Sequence, residues 1–467
     1  MKPVKKWRER LLILLLLAGL AVLPPLAYGY ACLERAARAA TDAEASADFE
    51  TAARLLFWRA DLFEKAGLRA GAEPSRAMRL LESARANQAL SPAGLVALGD
   101  AYLATGDTTR AVTEWETILQ YKTIPAQVYP RLAQQYHAAQ KYSAERRVLN
   151  LWLDSDPTNP QASEWMGRLL AAEASPAALS LLQNAATQSP QAAARLEQLI
   201  TALQTPAPTD EPAYLLALCG QALAGMGEWR LAEQAFERAA QANPQYASAW
   251  AWLGSARQHN HSVGSLSALE NAIRLDGNSA AIHAMLGNYW QNEGELKKAV
   301  PEFQSAVQIE PSNPAWWLAL AGAQTDLAAA LNAYIKAVNI APDQAGYWYA
   351  LAAFCVEKDA FIEDYGLNAA LRAFALEPKN PDYIDMLGRA QLAIGQWQAA
   401  EVSFNTAINL AAPSQLALYH FHLGLLYFQT ERKAQAKDEF EQTLRLDPSG
   451  TPGVQANLLI QRYFPQN

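Results

Sequence analysis

The sequence predicts an all-α chain, a long row of repeated helix pairs preceded by one apolar segment. Three observations carry this prediction. A motif recurs with a period of 34 residues between Pro244 and Pro448, a span of 204 residues that six copies divide evenly. Ala, Leu and Gln dominate while Val and Ile are scarce, which favours helix because β-branched side chains lose more freedom there. A run from Leu11 to Ala31 holds 21 residues without a charge. The chain has 467 residues, enough for about three ordinary domains, but a repeat array extends one core instead of adding cores. With 51% hydrophobic residues there is ample material to bury.

The apolar run comes after Lys2, Lys5, Lys6, Arg8 and Arg10, which against Glu9 give the first ten residues a balance of +4. Its length suits a helix crossing a hydrocarbon core of roughly 30 Å. Basic residues ahead of the span stay in the cytoplasm and send the rest of the chain to the other side. A cleaved signal peptide is the second reading. Pro24 and Pro25 break the helix, and Ala27-Tyr28-Gly29 or Gly29-Tyr30-Ala31 offers small residues around a cleavage point. Length and flanks favour retention. Both readings place the repeats outside the cytoplasm.

The repeats are legible by eye. Leu216 to Pro244 carries Gly220, a turn at Gly227-Glu228-Trp229, then Ala232, Phe236, Ala239 and Pro244. The segment from His283 repeats it with Leu286-Gly287, Trp290, Gly294-Glu295, Ala299, Phe303, Ala306 and Pro311. Further copies run through Leu387-Gly388, Gly395, Ala400, Phe404 and Pro413, and through Leu423-Gly424, Tyr427, Ala436, Phe440 and Pro448. Weaker copies include Leu98-Gly99 to Trp115, Tyr129 to Pro157, Met166-Gly167 to Pro190, Trp250 to Gly277, Trp317 to Pro342, and Trp348 to Pro378, the last about two residues long. A divergent first unit spans roughly Phe49 to Pro92, for about eleven units in all.

This W-x2-L-G-x2-Y, A-x3-F, P pattern resembles the tetratricopeptide repeat. The resemblance implies antiparallel helix pairs stacked into a right-handed superhelical solenoid. The glycines then sit where paired helices approach too closely for a side chain, the phenylalanines fill the gap to the next unit, and the prolines end one unit and open the next. It also implies a protein-binding scaffold that takes an extended peptide or a partner's helix along its first helices.

Between Gln191 and Pro212 the pattern lapses, ending in Thr205-Pro206-Ala207-Pro208-Thr209-Asp210-Glu211-Pro212. The expected organisation is a basic cytoplasmic tail (1–10), a transmembrane signal-anchor (11–31), a helical linker (32–47), an N-terminal repeat block (48–204), a Pro-rich linker (205–212), a C-terminal repeat block (213–450) and a closing helix (451–467).

Chemistry is not written into this chain. No phosphate loop, zinc-ligand spacing or nucleophile elbow is present, and almost no unassigned sequence remains to hold a catalytic domain. The expectation is no enzyme, no cofactor, no metal site and no small-molecule substrate. The formal net charge is −8, so the chain beyond its basic tail sums to −12, which speaks against nucleic acid. Cys32, Cys219 and Cys355 are too few and too scattered for a disulfide framework. Cys219 and Cys355 read as small core residues. His259 and His261 flank Asn260 in a turn without further ligands, and His420 and His422, two apart on a helix, point to different faces. Trp250, Trp290, Trp317, Trp348 and Trp397 sit at signature positions or turns and read as core.

Helical offsets counted from each glycine give the side chains of the face that would receive a partner. These are Gln134, His137, Gln221, Ser248, Ser255, Gln258, His259, Asn288, Gln291 and Asn292, mostly neutral groups able to donate and accept together. On the last unit Leu418, Phe421, Leu425 and Phe428 form an apolar stripe that the closing helix, with Leu458, Leu459, Ile460, Tyr463 and Phe464, would cover. The expected function is a membrane-anchored scaffold assembling envelope proteins. A secreted binding module is the first alternative, and a repeat-containing enzyme or transferase subunit a remote one.

Overall fold

The computed structural model describes residues 23–206 and 212–464, and among them every regular element is helical. The chain divides into two compact units, Met1–Arg238 and Ala239–Asn467. In the first, a helix over 23–38 pairs with Asp42–Leu55. Four hairpins come next: Asp61–Arg69 with Pro74–Asn87, Pro92–Ala104 with Thr108–Ile118, Val128–Ala138 with Tyr142–Ser155, and Pro160–Ala171 with Ala177–Gln188. A lone helix, Pro190–Gln204, then precedes Pro212–Gly225 and Trp229–Ala242. The second unit stacks Ala247–His259 with Ser265–Leu275, Ala280–Asn292 with Leu296–Ile309, and Pro314–Ala323 with Leu327–Ile340. It continues with Ala345–Glu357 and Leu367–Leu376, Pro381–Ala393 and Trp397–Leu410, and Leu416–Gln429 and Lys433–Leu446, closed by Thr451–Tyr463.

Local chemistry sets these boundaries. Asn159, Asn313 and Asn380 accept a backbone N–H of the helix they open, and Pro160, Pro314 and Pro381 stand at its first position. Such a cap contributes about 1 kcal/mol, and proline there loses no hydrogen bond the helix would otherwise have. The pairing inside each hairpin depends on the glycine. A methyl group on Gly287 would lie 2.8 Å from the Phe303 ring, on Gly388 2.7 Å from Phe404, and on Gly424 2.6 Å from Phe440. Each of these rings is fully buried. The phenylalanine therefore lies on the glycine of its own unit instead of bridging to the next, because only a bare backbone lets a ring slide between the paired helices.

The five tryptophans read as core are not buried. Trp250, Trp317 and Trp348 are half-buried and donate their indole N–H to the carbonyl oxygens of Pro244, Pro311 and Pro342, at 3.0, 2.8 and 2.9 Å. A polar edge that finds a partner only at the loop draws the ring out of the core. Trp290 lies under the Lys298 ammonium at 4.3 Å, and Trp397 is exposed. The two extra residues between Trp348 and Pro378 are absorbed by a π-helical turn, Ile362–Gly366.

The position just after most first helices is left-handed. Glycine occupies it at 106, 227, 294 and 395, but Gln140, Ala174, His261 and Glu431 also hold positive φ there. Ala174, at φ 49°, has no side-chain hydrogen bond to offset this strain. Ala174→Gly is expected to raise stability by about 0.5–1 kcal/mol, the left-handed cost less glycine's extra freedom when unfolded. The midpoint of urea unfolding checks this, and a lowered midpoint contradicts it.

Three segments differ from the sequence expectation or lie outside the description. Residues 1–22, with most of the anchor, are outside the described residues. No described helix is long and apolar enough to cross a membrane. Pro24 and Pro25 stand in the first turn of the helix over 23–38 and do not break it. Residues 32–47, expected as a helical linker, form the end of that helix and the start of the next, with Cys32 buried against Ala52, Ala53 and Leu56. Within the Pro-rich linker, 207–211 are outside the described residues, and the division into units falls later, inside Trp229–Ala242. The reason is that this hairpin is tied back to earlier repeats. Arg238 donates to the Ala172 carbonyl at 2.8 Å, and Glu228 reaches His137 and Arg168.

Candidate partner-binding face

Successive first helices touch one another, so their outward side chains form one face within each unit. In the N-terminal unit this face is charged. Arg131 donates to both carboxylate oxygens of Asp100 on the preceding first helix, at 2.6 and 2.8 Å. His137 lies between two acids, with Nδ1 3.1 Å from Glu145 and Nε2 3.0 Å from Glu228. Both carboxylates only accept, so both ring nitrogens donate and the ring is an imidazolium. The hydrogen bonds to Glu145 and then Glu228 outweigh burial and raise its pKa to about 9. Burial alone would raise the Glu228 pKa, but the His137 hydrogen bond and the Arg168 charge bring it below the usual value. Arg168 completes the group by pairing with Glu228, while Arg195 pairs with Glu164 at 2.6 Å. Beside them a cleft of ≈ 490 Å³ is lined by Glu164, Trp165, Arg168 and Arg195.

The expectation of a neutral face therefore fails in this unit. His137 is spent on internal ion pairs, while Gln134 beside it is exposed and Gln221 half-buried. Asp100 and Arg168 come directly after Gly99 and Gly167 and were open to the same helical stepping. Glu228, 91 residues from His137, was not.

In the C-terminal unit the face is neutral in its first half. Ser248 and His259 are exposed, Ser255 is half-buried, and Gln258 donates to the Tyr289 carbonyl at 3.1 Å, holding the next first helix. Asn288 and Asn292 are exposed one turn apart and make no side-chain hydrogen bond among the described residues. Gln291 lies between them, half-buried. Further along, Tyr349 and Tyr383 meet at 5.4 Å.

At the end of the array the face closes. Phe428 packs on Tyr463 at 4.9 Å and Phe464 at 6.2 Å, and Phe421 and Leu425 share a core with Leu459, Ile460 and Phe464. Leu418 stays exposed, and Leu458 points away from the core. His420 turns to Glu439 on its own second helix and His422 to Asp385 on the preceding first helix, at 2.6 and 2.8 Å. Asp382 accepts from Tyr419 at 2.5 Å, so both aspartates serve the stacking of neighbouring helices. Burial raises the Cys219 thiol pKa to about 12 and that of Cys355 to about 11, which keeps both protonated and inert.

A row of helix hairpins with one continuous side-chain face is the architecture of a helical-repeat binding protein. A family model described as a tetratricopeptide repeat matches residues 417–449, and another of the same description matches 67–127, 96–160 and 220–260. The chain is a tetratricopeptide-repeat protein. No curated protein matches it in sequence. Among solved structures it is similar to YrrB, described as a TPR protein with an unusual peptide-binding site, at 16% identity and TM-score 0.32 over 41% of this chain and 98% of that one. It is similar to Pseudomonas aeruginosa pilF at 17% identity and TM-score 0.36, over 45% and 96%. Yeast Tom70 is similar at 15% identity and TM-score 0.41, over 94% and 95%.

Proposed function

We propose that the chain is a membrane-anchored scaffold that holds segments of envelope proteins on the first helices of its C-terminal unit, outside the cytoplasm. The observation that carries this reading is the exposed, uncommitted amide pair Asn288 and Asn292. A primary amide donates and accepts at once, as pairing with a peptide backbone requires. The charged face of the N-terminal unit is by contrast consumed by its own ion pairs.

The anchor is supported by the basic tail and the uncharged run that begins at Leu11. Retention is supported by packing. Leu26 belongs to the first hairpin's core, and Gly29 lies against Leu55 and Leu56. Cleavage after Gly29 or Ala31 would strip these contacts from the fold.

Two measurements test the proposal. Membrane fractionation with N-terminal sequencing is expected to find the chain in membranes with its first residues intact, and a soluble chain beginning near Tyr30 sinks the anchor. A photo-crosslinker at Asn292 is expected to capture an envelope protein. Replacing Asn288 and neighbouring Gln291 with leucine should reduce that capture about tenfold, equivalent to about 1.4 kcal/mol, with Tm unchanged. Undiminished capture removes the amide face from the reading.

A further inference from the structure

The N-terminal hairpin carries an aromatic group that no core explains. The helix over 23–38 leads into an antiparallel return, Asp42–Leu55, which brings the chain back toward the point where the described residues begin. The return is fixed by contact, since a methyl group on Gly29 would lie 2.9 Å from Leu56 and 3.2 Å from Leu55. The loop after Leu55 therefore stands at the height of Gly29. Six residues of helix separate Gly29 from Leu23, a rise of about 9 Å.

At this height four large aromatic side chains face solvent. Phe57 is 83% exposed and Trp58 48%, their rings edge to face at 5.2 Å. Tyr28 and Tyr30 are each 51% exposed, on opposite flanks of their helix. Arg59, next in the loop, is paired with Asp61 at 2.8 Å, and Arg35 lies over the Tyr28 ring at 5.4 Å while paired with Asp48. The group therefore carries little net charge. Phenylalanine at that exposure loses hydrophobic stabilisation in water, whereas tryptophan and tyrosine favour a setting with one apolar side and one wet side. The sequence runs from Leu23 straight back into the uncharged stretch of 11–22. The headgroup layer beyond a bilayer's hydrocarbon core is roughly 5–8 Å thick, close to the height between Leu23 and these rings.

We propose that Tyr28, Tyr30, Phe57 and Trp58 form a bilayer-docking girdle that seats the first hairpin in the lipid headgroup layer. The inference rests on the anchored reading and adds to it a second point of lipid contact, 26 or more residues further along the chain than Tyr30. Two points of contact, helix and loop, would fix the direction in which the array leaves the membrane.

The three native cysteines are buried, so one introduced by Phe57→Cys can carry a polarity-sensitive fluorophore in the full-length chain. Val263→Cys, at a position 93% exposed in the C-terminal unit, is the reference. The probe is phosphatidylcholine vesicles containing lipid spin-labelled at the headgroup, and aqueous iodide without vesicles verifies that both sites are open to water. Quenching by the labelled lipid is expected to be at least about threefold stronger at 57 than at 263. Equal quenching in a chain that sediments with the vesicles overturns the girdle, leaves the anchor standing, and makes the aromatic group a surface for protein. A chain that stays in the supernatant sinks the anchor. The girdle then survives only if added vesicles still quench the probe at 57, and falls if they do not.

Discussion

Truncating Phe303 to alanine is expected to lower the stability of its repeat by about 3–5 kcal/mol, the range for a fully buried ring. Phe303 has no exposed surface and joins Ala299, Val307 and Leu320 in one core. Gly287→Ala attacks the same contact from the other side. Its methyl would stand 2.8 Å from the ring, and overpacking of this kind costs about 1–3 kcal/mol. The two changes are expected to be strongly non-additive, because the added methyl occupies space the missing ring has left. Repeat arrays open locally, so the readout is hydrogen exchange of the amides in Ala280–Ile309. A loss below about 1 kcal/mol for Phe303→Ala, or simple additivity in the double variant, contradicts the packing described.

Glu228→Ala is expected to cost about 3 kcal/mol in the N-terminal unit, at the lower end for breaking a buried ion pair. The substitution leaves Arg168 facing only Glu164, at 3.9 Å, and takes one of two acids from His137. The pH dependence has a defined sign. The folded pKa of His137 is raised to about 9 from an ordinary value of 6.5. Its contribution is complete below about pH 6.5 and is lost as pH rises through about 9. Glu228, with a lowered pKa, contributes above its ordinary value near 4.5 and loses that contribution as the solution is made acidic. Unfolding monitored between pH 7 and 10 should show wild type weakening, and His137→Gln, already weaker, changing far less. Equal slopes in the two proteins would remove His137 from the network.

Much of the fold could be read from the chain because tetratricopeptide packing is local. Gly287 and Phe303 lie sixteen residues apart, and the same pair recurs as Gly388 with Phe404 and Gly424 with Phe440, so spacing alone exposes the hairpin. The closing helix was legible for a similar reason, since Phe421, Leu425 and Phe428 needed a cover and only the last apolar segment remained. What escaped depends on the chain turning back on itself. Glu228 looks like an ordinary turn residue, and nothing in its neighbourhood announces a contact 91 residues away. The tryptophans misled for a different reason. Their hydrophobic bulk suggests the core, but the indole N–H needs an acceptor, and the nearest one is a proline carbonyl in the loop. The face residues fall between these cases. Helical stepping finds which side chains look outward, whereas Gln258 and His137 show that it cannot tell which are already engaged.

The proline-to-indole bond has a genetic consequence. Pro244 with Trp250, Pro311 with Trp317 and Pro342 with Trp348 each keep an interval of six residues, so the joint between consecutive units is a cassette that travels in one piece. A recombination event between the Pro311 and Pro342 codons would remove 31 residues (342 − 311) and restore the same joint. Unequal crossing-over at such points lengthens or shortens the rod by whole units without inventing a new junction. Descendants of this gene can therefore differ in reach while every junction keeps its chemistry.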